Sequence, residues 1–313
     1  MIPALLLGRV ALAVACLGST ERTRLALPAS RLAVREGTAW REWWNSASAP
    51  GRYPDARASL ARRVPWRDGA AGAAFGELAL SGAGEAWRTR LVVVRVDPRR
   101  VRLALDTAFV DGNAGWSLDR AGAAAVAAVN AGQFVRSMPW GWVMLDGAQF
   151  LRPSVAPLVS TFTVTVGGEA RLAHATVPDS AGVRWAFQSY PTLLNAGEVP
   201  HQLREAGCGV DVAHRDARLA LGIDVSGRLL IAMTRFDVIG RAFDRVPFGL
   251  TTPEMAAVMG ALGAVDAVLL DGGISAQLLV RDASGIAHRW PGVRKVPLAL
   301  VAHRRARAAP AVP

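Results

Sequence analysis

Residues 250–275 read LTTPEMAAVMGALGAVDAVLLDGGIS, and this stretch decides the predicted fold. Thr251 and Glu254 have the spacing of a capping box, in which each side chain hydrogen-bonds the backbone N–H of the other residue. Pro253 falls in the first turn, where its missing N–H costs nothing, and Gly263 suits the end of a helix. The stretch therefore predicts a helix that begins after Thr251 and ends at Gly263.

A continuous apolar run, residues 267–270, follows this helix and predicts a strand buried on both faces. Asp271 comes directly after the strand and precedes Gly272 and Gly273. A carboxylate at a strand end lies where ligands approach a sheet, and glycines let backbone N–H groups come close to a substrate oxygen. Ser275 adds a hydroxyl donor. The loop is therefore a candidate site, although a tight turn after a strand explains the same Asp-Gly-Gly sequence.

Further strands are predicted on both sides of this stretch from β-branched and apolar runs bounded by turn residues. They cover residues 91–96, 101–105, 161–166, 219–223 and 229–233. An Ala-rich segment, residues 117–128, predicts a helix that runs into a strand ending at Asn130. Strands and helices in this order predict an α+β fold, in which a mixed, largely buried sheet is flanked by helices in a single main domain.

The N-terminal part of the chain predicts a leader. Residues 1–18 are almost entirely apolar, too short for a comfortable membrane span but typical of a signal peptide or membrane anchor. Cys16 also allows a lipoprotein interpretation, and a buried N-terminal helix is the alternative. Residues 19–74 lack sustained periodicity and predict a loosely structured leader. The main domain is expected over residues 75–303, with a disordered tail over residues 304–313.

Three tryptophans interrupt the predicted leader. Trp40, Trp43 and Trp44 stand at the i, i+3 and i+4 spacing of one helix face. We therefore expect one short helix docked on the main domain.

The charge balance is strongly basic, with 36 Lys and Arg against 25 Asp and Glu, a formal net charge of +11. It favours acidic partners such as phosphate esters or anionic lipid headgroups, although a genome rich in Arg and Ala codons explains it equally well. The positive charge is scattered and no nucleic-acid motif accompanies it, so we expect no nucleic-acid partner.

Two cysteines exclude a disulfide framework, and the five histidines show no metal spacing. We therefore expect neither a metal nor another cofactor. Residues 273–277 fail the pattern of a serine-hydrolase nucleophile elbow, because Gln277 replaces its last glycine.

A second polar loop resembles the first, because a polar residue ends an apolar strand and a glycine follows it. Asn130 ends an apolar strand and Gly132 follows it, with tryptophans and Asp146 farther along the chain. Aromatic faces beside polar loops are typical of sugar-binding sites, although core packing explains most tryptophans.

Taken together, the segments from about residue 87 to 301 resemble the phosphodiester glycosidase family. The similar segments are VVRVDP (93–98), AVNAGQF (128–134), QSYPTL (188–193), RLALGID (218–224) and AVLLDGGIS (267–275). Several such segments in order, with plausible spacing, imply that fold and a hydrolase acting on sugar phosphodiesters or related glycosides.

The chain departs from the family's pattern at five positions. Ile274 stands where the family has a third glycine and Leu219 where it has threonine. The side chain of Ile274 hinders a close approach of the backbone to a ligand, and Leu219 lacks the hydroxyl of threonine. The other departures are Gln133, Tyr190 and Ala276.

The resemblance implies roles for individual residues. Asp271 is the first candidate for nucleophile or general base, with Asp224 or Asp146 as its partner. A role as a hairpin-turn residue explains Asp224 equally well, since residues 224–227 have the composition of a β-turn. Arg218 offers a bidentate fork to a phosphate, and Asn130 orients a sugar hydroxyl or the phosphate. The remaining expected substrate-binding residues are Gly132, Gly272, Gly273 and Ser275.

The sequence thus predicts an exported hydrolase, periplasmic or extracellular, that cleaves a sugar-1-phosphodiester or related glycosidic bond. Its partner would be a carbohydrate or sugar-phosphate substrate, with membrane association through the N-terminus as a further expectation. Two other classes stay open: a non-catalytic carbohydrate-binding or envelope protein of the same fold, and a basic membrane-associated protein that recognises anionic lipid headgroups.

Overall fold

The structure is a computed structural model that describes residues 27–53, 60–236 and 249–305. The predicted signal segment, residues 1–18, and residues 306–313 of the predicted tail lie outside the described residues. No helix in the described ranges has the length and apolar character needed to span a membrane.

The largest sheet has nine strands, and every neighbouring pair in it is antiparallel. In spatial order its strands are β17 (Thr192–Leu194), β20 (Ala264–Leu269), β18 (Leu219–Asp224), β19 (Leu229–Phe236), β5 (Thr89–Val96), β4 (Ala74–Gly82), β1 (Arg31–Glu36) and β2 (Ala39–Asn45), with β3 (Arg67–Asp68) paired to β4. The predicted strands over residues 91–96, 219–223, 229–233 and 267–270 are therefore confirmed, apart from shifted ends.

Two five-stranded antiparallel sheets and two short hairpins complete the fold. One sheet has the order β22 (Ala287–Trp290), β21 (Leu278–Arg281), β9 (Ala125–Asn130), β23 (Leu298–Arg304) and β6 (Val101–Thr107). The other has the order β13 (Ala148–Leu151), β12 (Val143–Leu145), β16 (Val183–Ser189), β14 (Ser160–Thr165) and β15 (Ala170–His174). The hairpins pair β7 (Phe109–Val110) with β8 (Asn113–Ala114) and β10 (Phe134–Val135) with β11 (Met138–Pro139).

The central strands β18 and β19 of the large sheet are buried on both faces, and the strand alternation divides their side chains between two cores. On β19, Ile231 and Met233 contact the core shared with both five-stranded sheets, whereas Leu230 and Ala232 face the opposite core. That second core is closed by the α-helix and by β1 and β2.

The single α-helix of the described residues, α1 (Thr252–Ala261), begins as predicted and ends two residues before the predicted Gly263. Thr251 is its N-cap, the reciprocal capping-box contacts with Glu254 are both present, and Pro253 lies in the first turn. Gly263 follows the helix with φ of +100°. Every residue of α1 is buried, because the helix packs on the large sheet inside the second core.

The predicted α+β class is wrong, because the protein is mostly antiparallel β-structure and its sheets are not flanked by helices. The helix predicted over residues 117–128 is reduced to a short 3-10 turn, Leu118–Ala121, followed by β9. All six residues of β9 are buried between β21 and β23. Small Ala side chains fit this crowded position, so tertiary pairing overrides the helix propensity of alanine.

The predicted tryptophan helix is also wrong, since Trp40, Trp43 and Trp44 lie on strand β2. The β1–β2 register shifts between Leu32 and Ala33, so that Trp43 is an extra residue in the ladder. Such a bulge reorients a strand locally, and Trp43 and Trp44 are both buried as a result, while Trp40 is exposed. Strands β1 to β3 precede residue 75, so the large sheet extends into the segment predicted as a leader.

Candidate functional site

Three loop segments meet at the end of β20, and backbone hydrogen bonds fix their positions. The N–H of Asp271 donates to the carbonyl of Gly132 at 3.0 Å, and the N–H of Gly273 donates to the carbonyl of Ala217 at 2.7 Å. The loop after β20 is therefore bound on one side to the loop after β9 and on the other side to the segment that precedes β18. Residues far apart in the sequence come together at Asp271.

Glycine is required where these loops touch. A side chain at position 272 would place its Cβ 2.4 Å from the carbonyl oxygen of Ala217, which no side chain tolerates. Gly132 has φ of +65°, and its Cβ would lie 2.9 Å from the carbonyl oxygen of Gln188. Gly132 and Gly272, two of the three glycines that we expected to bind substrate, therefore have a packing role that brings the loops together.

Asn130 joins the same loops through its side chain and is almost fully buried. Its Nδ2 donates to the carbonyl of Asp271 at 2.8 Å, and its Oδ1 accepts from the N–H of Gln277 at 3.0 Å. Since both ends of the amide are used by the loop that carries Asp271, Asn130 is a positioning residue. Its predicted contact with a sugar hydroxyl or a phosphate stays a prediction.

Asp271 itself is largely buried, and burial raises the pKa of its carboxyl group above the ordinary value because it disfavours the charged form. The nearby negative charge of Asp216 raises this pKa as well. A hydrogen bond from Ser275 and the positive charge of Arg294 act in the opposite direction. Thus Ser275, which we expected to bind substrate, hydrogen-bonds Asp271, and two charged residues that sequence reasoning missed lie beside them.

Asp216 is the first missed residue. Its carboxylate oxygens lie 3.2 and 3.4 Å from the position that a Cβ of Gly273 would occupy, so the carboxylate packs against the Asp271 loop. The N–H of Ala217 donates to one of these oxygens at 2.7 Å. Only its position two residues before Arg218 could have indicated it, since nothing local shows that this segment touches position 273.

Arg294 is the second missed residue, and the Asp271 loop itself holds it in place. Its backbone N–H donates to the carbonyl of Ile274 at 3.0 Å, and its Nη2 donates to the carbonyl of Arg136 at 3.0 Å. Its guanidinium carbon stands 4.7 Å from the ring centroid of Phe134, a cation–π contact. The arginine is exposed, so its remaining donors face solvent at the mouth of the site.

Arg218 lies at the opposite side of Asp216. Its Nε donates to the carbonyl of Leu250 at 2.8 Å and its Nη2 to the carbonyl of His214 at 2.6 Å. Burial lowers its pKa, while the negative charge of Asp216 raises it. Across residues 27–53, 60–236 and 249–305, no hydrogen bond uses its Nη1.

A buried ion pair anchors this side of the site to α1. The two Nη atoms of Arg215 lie 2.6 and 2.7 Å from the carboxylate oxygens of Glu254, which is fully buried. The hydroxyl of Ser30 also donates to Glu254, and the N–H of Thr251 donates to it at 2.8 Å. The capping residue of α1 thus fixes the chain directly before Asp216.

The structure does not bring the other two predicted carboxylates to Asp271. Asp224 closes the β18–β19 hairpin, where it accepts hydrogen bonds from Ser226 and Arg228. It stands at the far end of β18 from Arg218, about 20 Å away for a strand of this length. Asp146 is exposed in the β12–β13 turn, and its oxygen lies 2.5 Å from Nε of Arg184.

Histidine, cysteine and acidic side chains do not form a metal-binding group of three or more anywhere in the described part of the chain. The chemistry available at the site is that of two carboxylates, Asp271 and Asp216, with two arginines beside them.

Comparison with solved structures shows the fold. A structure of the zebrafish N-acetylglucosamine-1-phosphodiester alpha-N-acetylglucosaminidase catalytic domain, auto-inhibited by its pro-peptide, matches with a TM-score of 0.51 at 19% identity. The match covers 70% of this chain and 78% of the zebrafish chain.

Two bacterial structures match more weakly. A hypothetical protein from Synechocystis matches at 15% identity with a TM-score of 0.47, over 74% of this chain and 62% of its own. A protein of Burkholderia pseudomallei named as exported matches at 17% identity with a TM-score of 0.48, over 72% of this chain and 77% of its own.

No curated protein matches the sequence. The sequence profile of the phosphodiester glycosidase family, in contrast, matches residues 123–303, which is more than half of the chain and includes Asp216, Arg218, Asp271 and Arg294. The chain belongs to the phosphodiester glycosidase family.

Proposed function

We propose that the protein hydrolyses sugar-1-phosphodiesters at the bond between the anomeric carbon and the phosphate oxygen. The observation that carries this proposal is the position of Asp271, a largely buried carboxylate with a raised pKa that has Arg294 beside it. Family membership supports the class of bond.

In this proposal Asp271 is the general base. It takes a proton from water as the water oxygen forms its bond to the anomeric carbon, and the bond between that carbon and the phosphate oxygen breaks. The products are a free sugar and a phosphomonoester. A raised pKa suits this role, because a base is most effective when its pKa lies near the working pH. Phosphate is a good leaving group, so a strong general acid is not required.

The arginines would neutralise the phosphate. Arg294 has free donors at the mouth of the site and is held in place by Ile274, Phe134 and Arg136. Arg218 contributes its remaining donor from the other side. Guanidinium groups recognise phosphate oxygens with strong, charge-assisted hydrogen bonds.

Asp216 would supply a second negative charge near the reacting carbon. Cleavage at an anomeric carbon passes through a state with positive charge on the sugar ring, and a fixed carboxylate stabilises it. The contact between Asp216 and the Asp271 loop supports this role, because it places both carboxylates at one site.

The pH dependence tests these assignments through two opposite shifts. Because Asp271 must be deprotonated to act as base, kcat/KM should fall as the pH decreases through its pKa, above the ordinary value of about 4. Asp216→Asn removes a like charge and lowers the pKa of Asp271. It should therefore move the acidic limb of the pH profile, where kcat/KM falls, to lower pH. Arg294→Ala removes a stabilising cation and should move it to higher pH. Limbs that stay in place in both variants would remove Asp271 from the role of base.

Substrate selectivity tests the phosphate role of Arg294. Arg294→Ala should raise KM about 10- to 100-fold for an aryl sugar phosphodiester, as expected for loss of a charged hydrogen bond, but change KM little for the neutral aryl glycoside of the same sugar. Arg171→Ala is the matched control, since Arg171 is an exposed arginine on another sheet. An equal effect of Arg294→Ala on both substrates would contradict the assignment.

We also propose that the protein is exported from the cytosol. It rests on the apolar run of residues 2–17, with the small residues Ala13 and Ala15 in the pattern that signal peptidase reads. Expression of the full chain with a C-terminal tag, followed by mass measurement of the mature N-terminus, tests it. A full-length product in the cytosol would contradict export.

A further inference from the structure

Four exposed apolar side chains surround the mouth of the site, and the proposed hydrolysis makes no use of them. They are Val135, Met138, Ile274 and Val293, which are 56%, 44%, 45% and 56% exposed. We refer to these four residues as the apolar rim. Ile274 is also the residue that departs from the family's third glycine, in the loop that carries Asp271.

Backbone contacts link the rim residues in two pairs, and Arg294 lies between the pairs. The N–H of Val293 donates to the carbonyl of Ile274 at 2.8 Å, so these two residues are neighbours across the loops. Val135 and Met138 are paired opposite each other in the β10–β11 hairpin. The side chain of Arg294 connects the two halves, because it contacts the carbonyl of Arg136, between Val135 and Met138, and the ring of Phe134.

The charges within the rim are positive. Arg136, Arg294 and Lys295 are exposed in the same two loops as the apolar side chains. Apolar groups interleaved with cations complement a ligand that has both an anionic group and an apolar part, whereas a soluble sugar phosphodiester needs only the cations. An amphiphilic phosphodiester has this combination, because it carries a hydrocarbon chain and an anionic phosphate that could lie beside Arg294.

We propose that the apolar rim holds the hydrocarbon chain of the substrate's alcohol, so that the substrate is a sugar-1-phosphodiester of a long-chain alcohol. This inference rests on the proposed function for the sugar and the phosphate. The phosphate lies at Arg294, the sugar lies toward Asp271, and the chain leaves the site across Ile274 and Val293. In this arrangement the isoleucine that replaces glycine is a contact for the substrate's tail.

A binding experiment without a sugar separates the rim from the catalysis. Dodecyl ethyl phosphate, kept below its micelle-forming concentration, is compared with diethyl phosphate by calorimetry on the full chain. We expect the dodecyl compound to bind at least about tenfold more tightly, because burying even two or three methylene groups supplies that factor. In Ile274→Ser/Val293→Ser the ratio of the two affinities should fall about tenfold. Val225→Ser, an exposed valine in the β18–β19 turn, is the matched control and should leave the ratio unchanged.

The outcomes distinguish the two proposals. Equal binding of both phosphates by the natural chain, or an unchanged ratio in the double variant, overturns the role of the rim. The expected ratios together with hydrolysis of a dodecyl sugar phosphodiester support both proposals. The expected ratios without hydrolysis of any sugar phosphodiester would support the rim as a site for anionic amphiphiles and overturn the proposed function. Thermal unfolding of each variant checks the fold, which exposed substitutions should barely affect.

Discussion

Asp271→Asn is expected to reduce kcat/KM for an aryl sugar phosphodiester by about 10²–10⁴-fold, the usual contribution of a general base. The amide has nearly the same shape as the carboxylate but cannot accept the proton of the attacking water. Because burial disfavours the ionised form of Asp271, the neutral amide should keep or slightly raise the melting temperature. Activity and stability thus move independently, as they do at a catalytic position.

The control for Asp271 is Asp146→Asn, since Asp146 is exposed in a turn and paired with Arg184. Its kcat/KM should stay within about twofold of the natural protein, because its side chain is exposed and its ion-pair partner in the described part of the chain is Arg184, which is not part of the candidate site. A variant with Asp271→Asn that keeps near-normal turnover, or one that loses turnover together with its fold, would contradict the role given to Asp271.

Arg215→Ala is expected to lower the free energy of unfolding by about 3–5 kcal/mol, the usual cost of removing one partner of a buried ion pair. Glu254 is fully buried, and among the described residues loss of the guanidinium leaves its carboxylate with only Ser30 and the backbone of Thr251 as hydrogen-bond donors. Urea denaturation at neutral pH measures the change. Because Arg215 anchors the segment that carries Asp216, kcat should also fall.

Two further variants isolate the charge effect. Arg171→Ala breaks an ion pair of which both members are exposed, and should cost less than about 1 kcal/mol. Glu254→Gln introduced with Arg215→Ala should recover part of the lost stability, because a neutral amide is less costly to bury than an unpaired carboxylate. Equal losses in Arg215→Ala and Arg171→Ala would show that Glu254 is not isolated from water.

Local signals predicted much of the chain's secondary structure. The capping box at Thr251, the buried strand before Asp271 and the β18–β19 hairpin all depend on residues within a few positions of one another, and all are confirmed. Where the outcome depends on distant partners, the predictions are wrong. The Ala-rich segment before Asn130 became β9 because β21 and β23 pair with it, and the tryptophan spacing reflects a bulge in β2.

The candidate site follows the same division. Asp271, Ser275 and the neighbouring glycines belong to one loop, and the sequence pattern identified them. Asp216 and Arg294 could not be found in this way, because only the meeting of three loops brings them to Asp271. Asp224 shows the opposite case. The local turn sequence predicted a hairpin residue and the resemblance predicted a catalytic partner, and in the structure Asp224 closes a hairpin.

Hydrolysis in water labelled with heavy oxygen tests the central claim most directly. The natural protein is incubated with an aryl sugar-1-phosphodiester, and the phosphomonoester product is analysed by mass spectrometry. Cleavage at the anomeric carbon predicts that the phosphomonoester carries no label, because the water oxygen bonds to the sugar. A labelled phosphomonoester would mean attack at phosphorus and would contradict the account, as would the absence of hydrolysis across a panel of sugars.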